Sequence, residues 1–228
     1  MYTRACAESS DAGGVRFNPA PPSSMHPPSL KLRRTGRRAG YNPFVKILLV
    51  TSSPSKAREA GEILGSDVDR ADVELPEIQA GTIEEVAREK AREAFRRLER
   101  ACVVEDSALG FAAWSGLPGP YVKWFERLAG LDALCRSLDG FRDRRATATC
   151  VLAFRSETEQ LTAIGRIEGS IVDKPRGSGG FGWDSIFVPD GETRTFAEMS
   201  ASEKNAISHR RRAWEDLRRK IRLWQDGR

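Results

Sequence analysis

The chain has no run of about 18 apolar residues and no secretory hydrophobic region. Neither a membrane span nor a leader is expected, which points to a soluble, cytoplasmic protein. Its four cysteines, Cys6, Cys102, Cys135 and Cys150, show no CxxC or other metal spacing. Three of them lie in apolar segments, which predicts reduced, buried thiols. No G-x-x-x-x-G-K-[ST] phosphate loop and no internal repeat occurs. Gly177 to Gly182 does satisfy G-x-G-x-x-G, but a strand follows it where the dinucleotide fingerprint needs a helix. A Rossmann reading therefore fails on context.

Charge of one sign is also missing once it is located. The net charge of +5 arises in the first 44 residues, with seven Lys/Arg against two Asp/Glu, and the remainder holds 30 of each. A balanced body has no general pull toward polyanions, so nucleic acid is not an expected partner. Residues 1–44 are rich in Pro, Ser, Gly and Arg without apolar periodicity, which predicts a disordered basic extension. Its LKLRRTGRR stretch, Leu30–Arg38, reads as a nucleic-acid arm or a targeting element, or as an unselected extension from a start codon set too far upstream. We favour the last, because Val45-Lys46-Ile47 opens the first strand of a domain over 45–228.

Along that domain, strands are expected at Val45–Ser52, Asp67–Leu75, Ala101–Glu105, Leu109–Trp114, Ala146–Arg155, Leu161–Val172 and Asp184–Val188. Helices are expected at Lys56–Leu64, Ile83–Leu98 and Glu203–Trp224, the second with Ile83, Val86, Ala87, Ala91, Ala94, Phe95 and Leu98 on one face. Strands both alternate with helices and meet in hairpins. The fold class is therefore α/β, a mixed sheet with helices packed around it.

Several polar residues break the local pattern, as functional sites often do. Lys204, Asn205, Ser208, His209 and Arg210 crowd the first turns of the last helix, where unpaired N–H groups favour an anion such as phosphate. Phe181 and Trp183 flank Gly182 and are placed to stack on a flat base. Lys90 falls within the apolar stripe of the 83–98 helix, so it either meets an anion or snorkels to solvent. Glu105-Asp106-Ser107 ends an apolar strand, as a Mg²⁺ site or as an acidic pair capping the next turn. Thr51 to Lys56 puts hydroxyls and a cation between strand and helix, for phosphate or as an N-cap. Glu77 follows Leu75-Pro76 with no packing reason to stand there. Phosphate plus base means nucleotide.

These residues carry a family resemblance. From Val45 to Leu217 the chain resembles the inosine triphosphate pyrophosphatase family, the Ham1-like enzymes. The matching blocks are ELPEIQ (Glu74–Gln79), VVEDSALGF (Val103–Phe111), GLPGPYVKWF (Gly116–Phe125), FGWDSIFVPDG (Phe181–Gly191) and AEMSASEKNAISHR (Ala197–Arg210). The resemblance implies an elongated mixed sheet with two lobes and a nucleotide cleft between them. It implies Mg²⁺-dependent hydrolysis of ITP, dITP or XTP to monophosphate and pyrophosphate, by a homodimer. Asp106 would be the catalytic carboxylate. Glu77 and Asp106, assisted by Glu105, would hold Mg²⁺. Thr51, Ser52, Ser53, Lys56, Lys90, Ser107 and Lys204 would hold the triphosphate. Phe181, Gly182 and Trp183 would frame the base, Asp184 would order that loop, and Lys204, His209 (as the imidazolium) and Arg210 would meet the 6-oxo edge.

Two departures stand out. The family's first motif is usually Thr-Gly-Asn-x-x-Lys, and here Ser52-Ser53 is the middle pair. This implies weaker triphosphate binding or an altered substrate preference. Ser185 replaces a common proline and is expected to matter little. Two alternatives remain open: a related pyrophosphatase with a different base preference, and a catalytically weakened nucleotide sensor. Exclusion of GTP, which shares the 6-oxo group, has to depend on the 2-position.

Overall fold

A computed structural model describes residues 48–226. The basic extension and the start of the first strand therefore lie outside the described residues. Strand β1 (Leu48–Val50) leads into helix α1 (Pro54–Leu64), then β2 (Asp69–Ala71), α2 (Ile83–Leu98) and β3 (Cys102–Phe111). Next come β4 (Pro118–Gly119), α3 (Val122–Leu128) and α4 (Leu131–Arg136). Two long strands follow, β5 (Arg145–Arg155) and β6 (Gln160–Ile171). A 3-10 turn at Gly182–Ser185, β7 (Phe187–Pro189), α5 (Ala201–Ile207) and α6 (His209–Asp226) complete the fold.

Among the described residues the sheet runs β2-β1-β3-β5-β6-β7, with β4 added to β3. Strands β1, β2 and β3 are mutually parallel, and the other pairings are antiparallel. The sheet is mixed, as expected. One core cluster packs α2 (Ile83, Ala87, Ala91, Ala94) on Leu48, Val50 and Val104. Another packs α1 and α6 (Ala60, Ala213, Trp214, Leu217) on Leu49 and Val103, the alternate residues of the same strands. A third gathers Leu109, Phe111, Leu134, Trp183 and Phe187 at the far end of the sheet. Strand β3 contributes to both clusters, Ala108 to the first and Leu109 to the third.

Local chemistry explains the boundaries. Helix α2 has the expected limits: Thr82 accepts from the Glu85 amide at its N-cap, with acidic residues in its first turn and Arg96 and Arg97 in its last. Helix α1 begins two residues before the expected Lys56, because Ser53 caps it and Pro54 takes the first helical position. The strand expected over 67–75 pairs only at Asp69–Ala71, against a β1 that is itself three residues long.

Three expectations are corrected. The strands at 101–105 and 109–114 are one, since an unbroken ladder joins Cys102↔Arg155 to Phe111↔Ala146. Glu105 and Asp106 therefore lie mid-strand and do not end it. The expected strand at 184–188 is mostly the 3-10 turn, with β7 beginning at Phe187. The long last helix is broken at Ser208, which adopts extended ψ (155°) while its hydroxyl accepts from the Arg211 amide and caps α6.

Cys102, Cys135 and Cys150 are buried free thiols, and burial raises the pKa of each. No helix among the described residues is long and apolar enough to cross a membrane.

Helix α6 lies directly on β6 at Gly165, where an added Cβ would sit 2.0 Å from the His209 carbonyl oxygen and 2.5 Å from the Ala213 nitrogen. Backbone cannot yield as a flexible side chain can. Gly165→Ala should therefore destabilise by about 2–4 kcal/mol in urea unfolding. Gly140→Ala, which meets nothing within 4 Å, should stay within about 0.5 kcal/mol. Equal midpoints for the two variants would contradict this packing.

Candidate active site

Strand β1 sits between β2 and β3, parallel to both, and its flanking helices α1 and α2 cover opposite faces. Such a reversal of connection leaves a crevice outside the carboxyl ends of the strands. Here β1 stops at Val50 while β3 runs on to Phe111, carrying Glu105, Asp106 and Ser107 into the gap. Alternation along β3 then sends neighbouring side chains to opposite faces.

On the α1/α6 face Glu105 is fully enclosed. The Arg210 Nε donates to both its oxygens at 3.0 Å, and Arg210 Nη2 donates to Oε1 at 2.9 Å. Lys56 Nζ lies 3.5 Å from Oε1 and donates to the Glu105 carbonyl. Arg210 Nη1 also bonds Glu59, whose other oxygen accepts from Lys204 Nζ at 2.7 Å. Lys204 in turn donates to Asp184 at 2.5 Å. The result is an alternating chain, Asp184–Lys204–Glu59–Arg210–Glu105–Lys56. Burial raises the Glu105 pKa, but Arg210 and Lys56 outweigh it and hold the carboxyl below its ordinary range. Ser107 Oγ is 3.4 Å from both Glu105 and Arg210.

On the α2 face Lys90 Nζ donates to Asp106 Oδ1 at 2.9 Å and to Glu77 Oε1 at 3.0 Å. Its ammonium meets anions and does not snorkel, so the first of the two readings applies. Burial raises the Asp106 pKa despite Lys90. Glu77 has its pKa lowered, because Lys90 and Lys123 outweigh the effect of burial. Asp106 Oδ2 is buried without a hydrogen-bond partner. That orphan oxygen, together with the exposed carboxylate of Glu77, suits a hard divalent cation that keeps its other positions for water and phosphate. Glu105 does not belong to this set, since it faces the other side of the strand and is bound to Arg210. Among the described residues no group of three or more His, Cys, Asp or Glu side chains forms a metal cage.

In the loop after β1, Thr51 Oγ1 accepts from the Ser53 amide and Ser53 Oγ accepts from the Lys56 amide. Ser52 is exposed, and its φ is not positive. Glycine is therefore not conformationally required there.

At the far end, Asp184 accepts from the Phe181 amide at 2.8 Å. Gly180 is held so close that an added Cβ would lie 2.3 Å from the Asp184 carboxylate. The Phe181 ring lies 4.6 Å from Lys204 Nζ and 5.3 Å from the Arg210 guanidinium carbon. Trp183 departs from expectation. Gly182 turns the chain with φ +61°, and the indole packs into the core against Phe187 and His209. Only Phe181 of the two aromatics is partly exposed.

His209 is buried between Trp183 and Phe196 with both ring nitrogens unpartnered. Burial, then Arg210 and Lys204, drives its pKa well below 6.5. It is the neutral imidazole, with one donor and one acceptor, and not the imidazolium expected from the sequence.

Two residues escaped the sequence reading. Glu59 is a buried acid beside Ala60 on the inner face of α1, and that lone charge on a buried face was the available signal. Lys123 Nζ binds both Glu77 oxygens at 3.2 and 3.3 Å, a contact that only the fold creates.

Residues 47–220 match the model of the Ham1 family. The inosine triphosphate pyrophosphatase of Puccinia graminis f. sp. tritici is 43% identical over 185 residues, covering 76% of this chain and 95% of that protein. The dITP/XTP pyrophosphatase of Ignicoccus hospitalis is 42% identical over 174 residues, covering 74% and 93%. A HAM1 protein from Coxiella burnetii superposes with a TM-score of 0.67 at 31% identity, covering 78% of this chain and 98% of that one.

Glu59→Gln leaves Lys204 and Arg210 buried with less countercharge, and should destabilise by about 3–5 kcal/mol in denaturant unfolding. A loss below about 1 kcal/mol would remove Glu59 from the chain's support. His209 yields a pH dependence. Its folded pKa lies below the unfolded value of 6.5, so the unfolded state binds more protons. The stability it confers is complete above pH 6.5 and declines as pH falls below it, by up to about 1.4 kcal/mol per pH unit. Melting between pH 7.5 and 5.5 should show this fall in the parent and not in His209→Phe. Parallel curves would contradict it.

Proposed function

The chain belongs to the Ham1 family, and we propose that it hydrolyses non-standard purine nucleoside triphosphates, ITP, dITP and XTP, to the monophosphate and pyrophosphate. The observation that carries this reading is Asp106, a largely enclosed carboxylate with one oxygen held by Lys90 and the other buried without a partner. Phosphoanhydride cleavage asks the protein mainly for an aligned water and neutralised charge. Asp106 helps to place the water beside the phosphates, and its free Oδ2 is the oxygen that would also take the metal. Lys90 fixes the carboxyl, and Lys56 and the β1–α1 loop face the phosphates.

Glu77 and Asp106 would hold the divalent metal, which we assign as Mg²⁺. When bound, it supplies charge neutralisation on the phosphate oxygens. Relatives named for inosine triphosphate and for dITP/XTP support the substrate class.

Base selection follows from donor count. A lysine has three N–H donors, and Lys204 has given two to Glu59 and Asp184. We assign the third to a 6-oxo acceptor beside Phe181. Adenine presents a 6-amino donor there, which leaves donor facing donor.

We also assign the protein to the cytoplasm, where reduced, buried thiols are at home. A homodimer fits the exposed apolar side chains Leu117, Trp124, Phe125 and Leu128 around α3.

With Mg²⁺ present, ITP and XTP should release pyrophosphate, and ATP should release little. Asp106→Asn should lower kcat by about 10²–10⁴-fold. Orthophosphate as the product, or ATP cleaved as fast as ITP, would refute the assignment. Ser53 already caps α1 through its hydroxyl, so Ser53→Asn, with a longer amide, should lower KM for ITP. Unchanged KM and kcat would show that the Ser52-Ser53 pair is neutral.

A further inference from the structure

The cations placed in the cleft are already paired with carboxylates there. Lys56 lies on Glu105, Lys90 on Glu77 and Asp106, and Lys204 on Glu59 and Asp184. Arg210 is paired in the same way, and Lys123, itself 47% exposed, lies on Glu77. A triphosphate brings roughly four negative charges at neutral pH, and one divalent metal offsets only two of them. The cleft as so far described therefore lacks positive charge for the ligand it is read to take.

Arg70 meets that deficit. It lies on β2 in register with Leu49 of β1, and Leu49 packs toward α1 and α6, so Arg70 leaves the sheet on the α1 face. Its Nη1 is 3.4 Å from the Thr51 carbonyl oxygen, at the carboxyl end of β1 where the crevice opens. Its carboxylate partner is Asp72 at 3.1 Å, and that pair sits at the surface, with side chains 35% and 55% exposed. Exposed pairs of this kind hold weakly, so the guanidinium is free to exchange partners. Lys90, Lys204 and Arg210, enclosed with their carboxylates, are not. Its planar fork also matches phosphate oxygens. The hydroxyls of the loop, on Thr51 and Ser53, accept from backbone amides of the turn.

We propose that Arg70 is a further phosphate-binding residue of this site, giving the β1–α1 loop a cation that is not tied to the buried charge chain. The proposal rests on the pyrophosphatase reading for its ligand, and its test does not require turnover. Inorganic tripolyphosphate is titrated calorimetrically into the full chain, its Arg70→Ala variant and its Arg70→Lys variant, with thermal melting of each. Arg70→Ala should weaken tripolyphosphate binding about tenfold, the scale of one charge-assisted hydrogen bond. Arg70→Lys, which keeps the charge but not the fork, should recover part of that loss, and all three proteins should melt alike. In steady-state assays Arg70→Ala should raise KM for ITP by a similar factor, with kcat changed less than about twofold.

Tripolyphosphate affinity within twofold of the parent in Arg70→Ala would overturn the proposal. Equal losses in both variants together with lowered melting would also overturn it, in favour of a contact that merely shapes the loop at the Thr51 carbonyl. If the parent binds tripolyphosphate through Arg70 but cleaves no nucleotide, the reaction assignment fails and the role of Arg70 stands.

Discussion

The buried run of alternating charges from Asp184 to Lys56 is the constraint on which the rest of this structure depends. It joins α1, β3, the 3-10 turn, α5 and the start of α6, through contacts between residues as far as 145 and 151 positions apart in the chain. In a low-dielectric interior each member is stabilised only while its neighbours are present, and removal of one exposes the others to the full cost of desolvation. The chain therefore adds less to net stability than its length suggests, but it specifies one arrangement of five elements. The break at Ser208 serves the same end. It lets α5 present Lys204 while α6 restarts and presents Arg210.

The second constraint is the brevity of β1. Because it ends at Val50 between two parallel neighbours, the middle of β3 is left beside open space, where a carboxylate can be close to solvent and still largely enclosed. The period of two along β3 then gives adjacent acids opposite tasks. Glu105 anchors Arg210 in the interior and stays ionised, while Asp106 faces Lys90 with its affinity for a proton raised. Two neighbouring carboxylates that would repel each other on one face are separated by the strand itself.

Together these features yield a cleft whose charges are satisfied before any ligand arrives. Such a site folds without an uncompensated buried charge. Its ligand must then arrive with countercharge, find donors left over on multivalent groups such as Lys204, or recruit cations from the surface. Phe181 packs against Lys204 and Arg210, with the neutral His209 enclosed between Trp183 and Phe196.

Much of this was legible in the chain. Helix α2 appeared with its true limits because cap, periodicity and end charges agree, and the β5–β6 hairpin because both strands are long. Lys90, Asp106, Phe181, Lys204 and Arg210 stood out because each breaks the pattern around it, and the motifs in which they sit named the chemistry. Which residue faces which could not be read there, since facing depends on register and on contacts between distant segments. The continuity of β3, the burial of Trp183, the neutral state of His209 and the pairing of Glu59, Lys123 and Arg70 were decided only by the tertiary structure. Local sequence determined the inventory of groups and most of the elements that carry them. The packing of those elements determined the dielectric, the partners and the direction of every side chain, and from these follow the charge state and the role of each group.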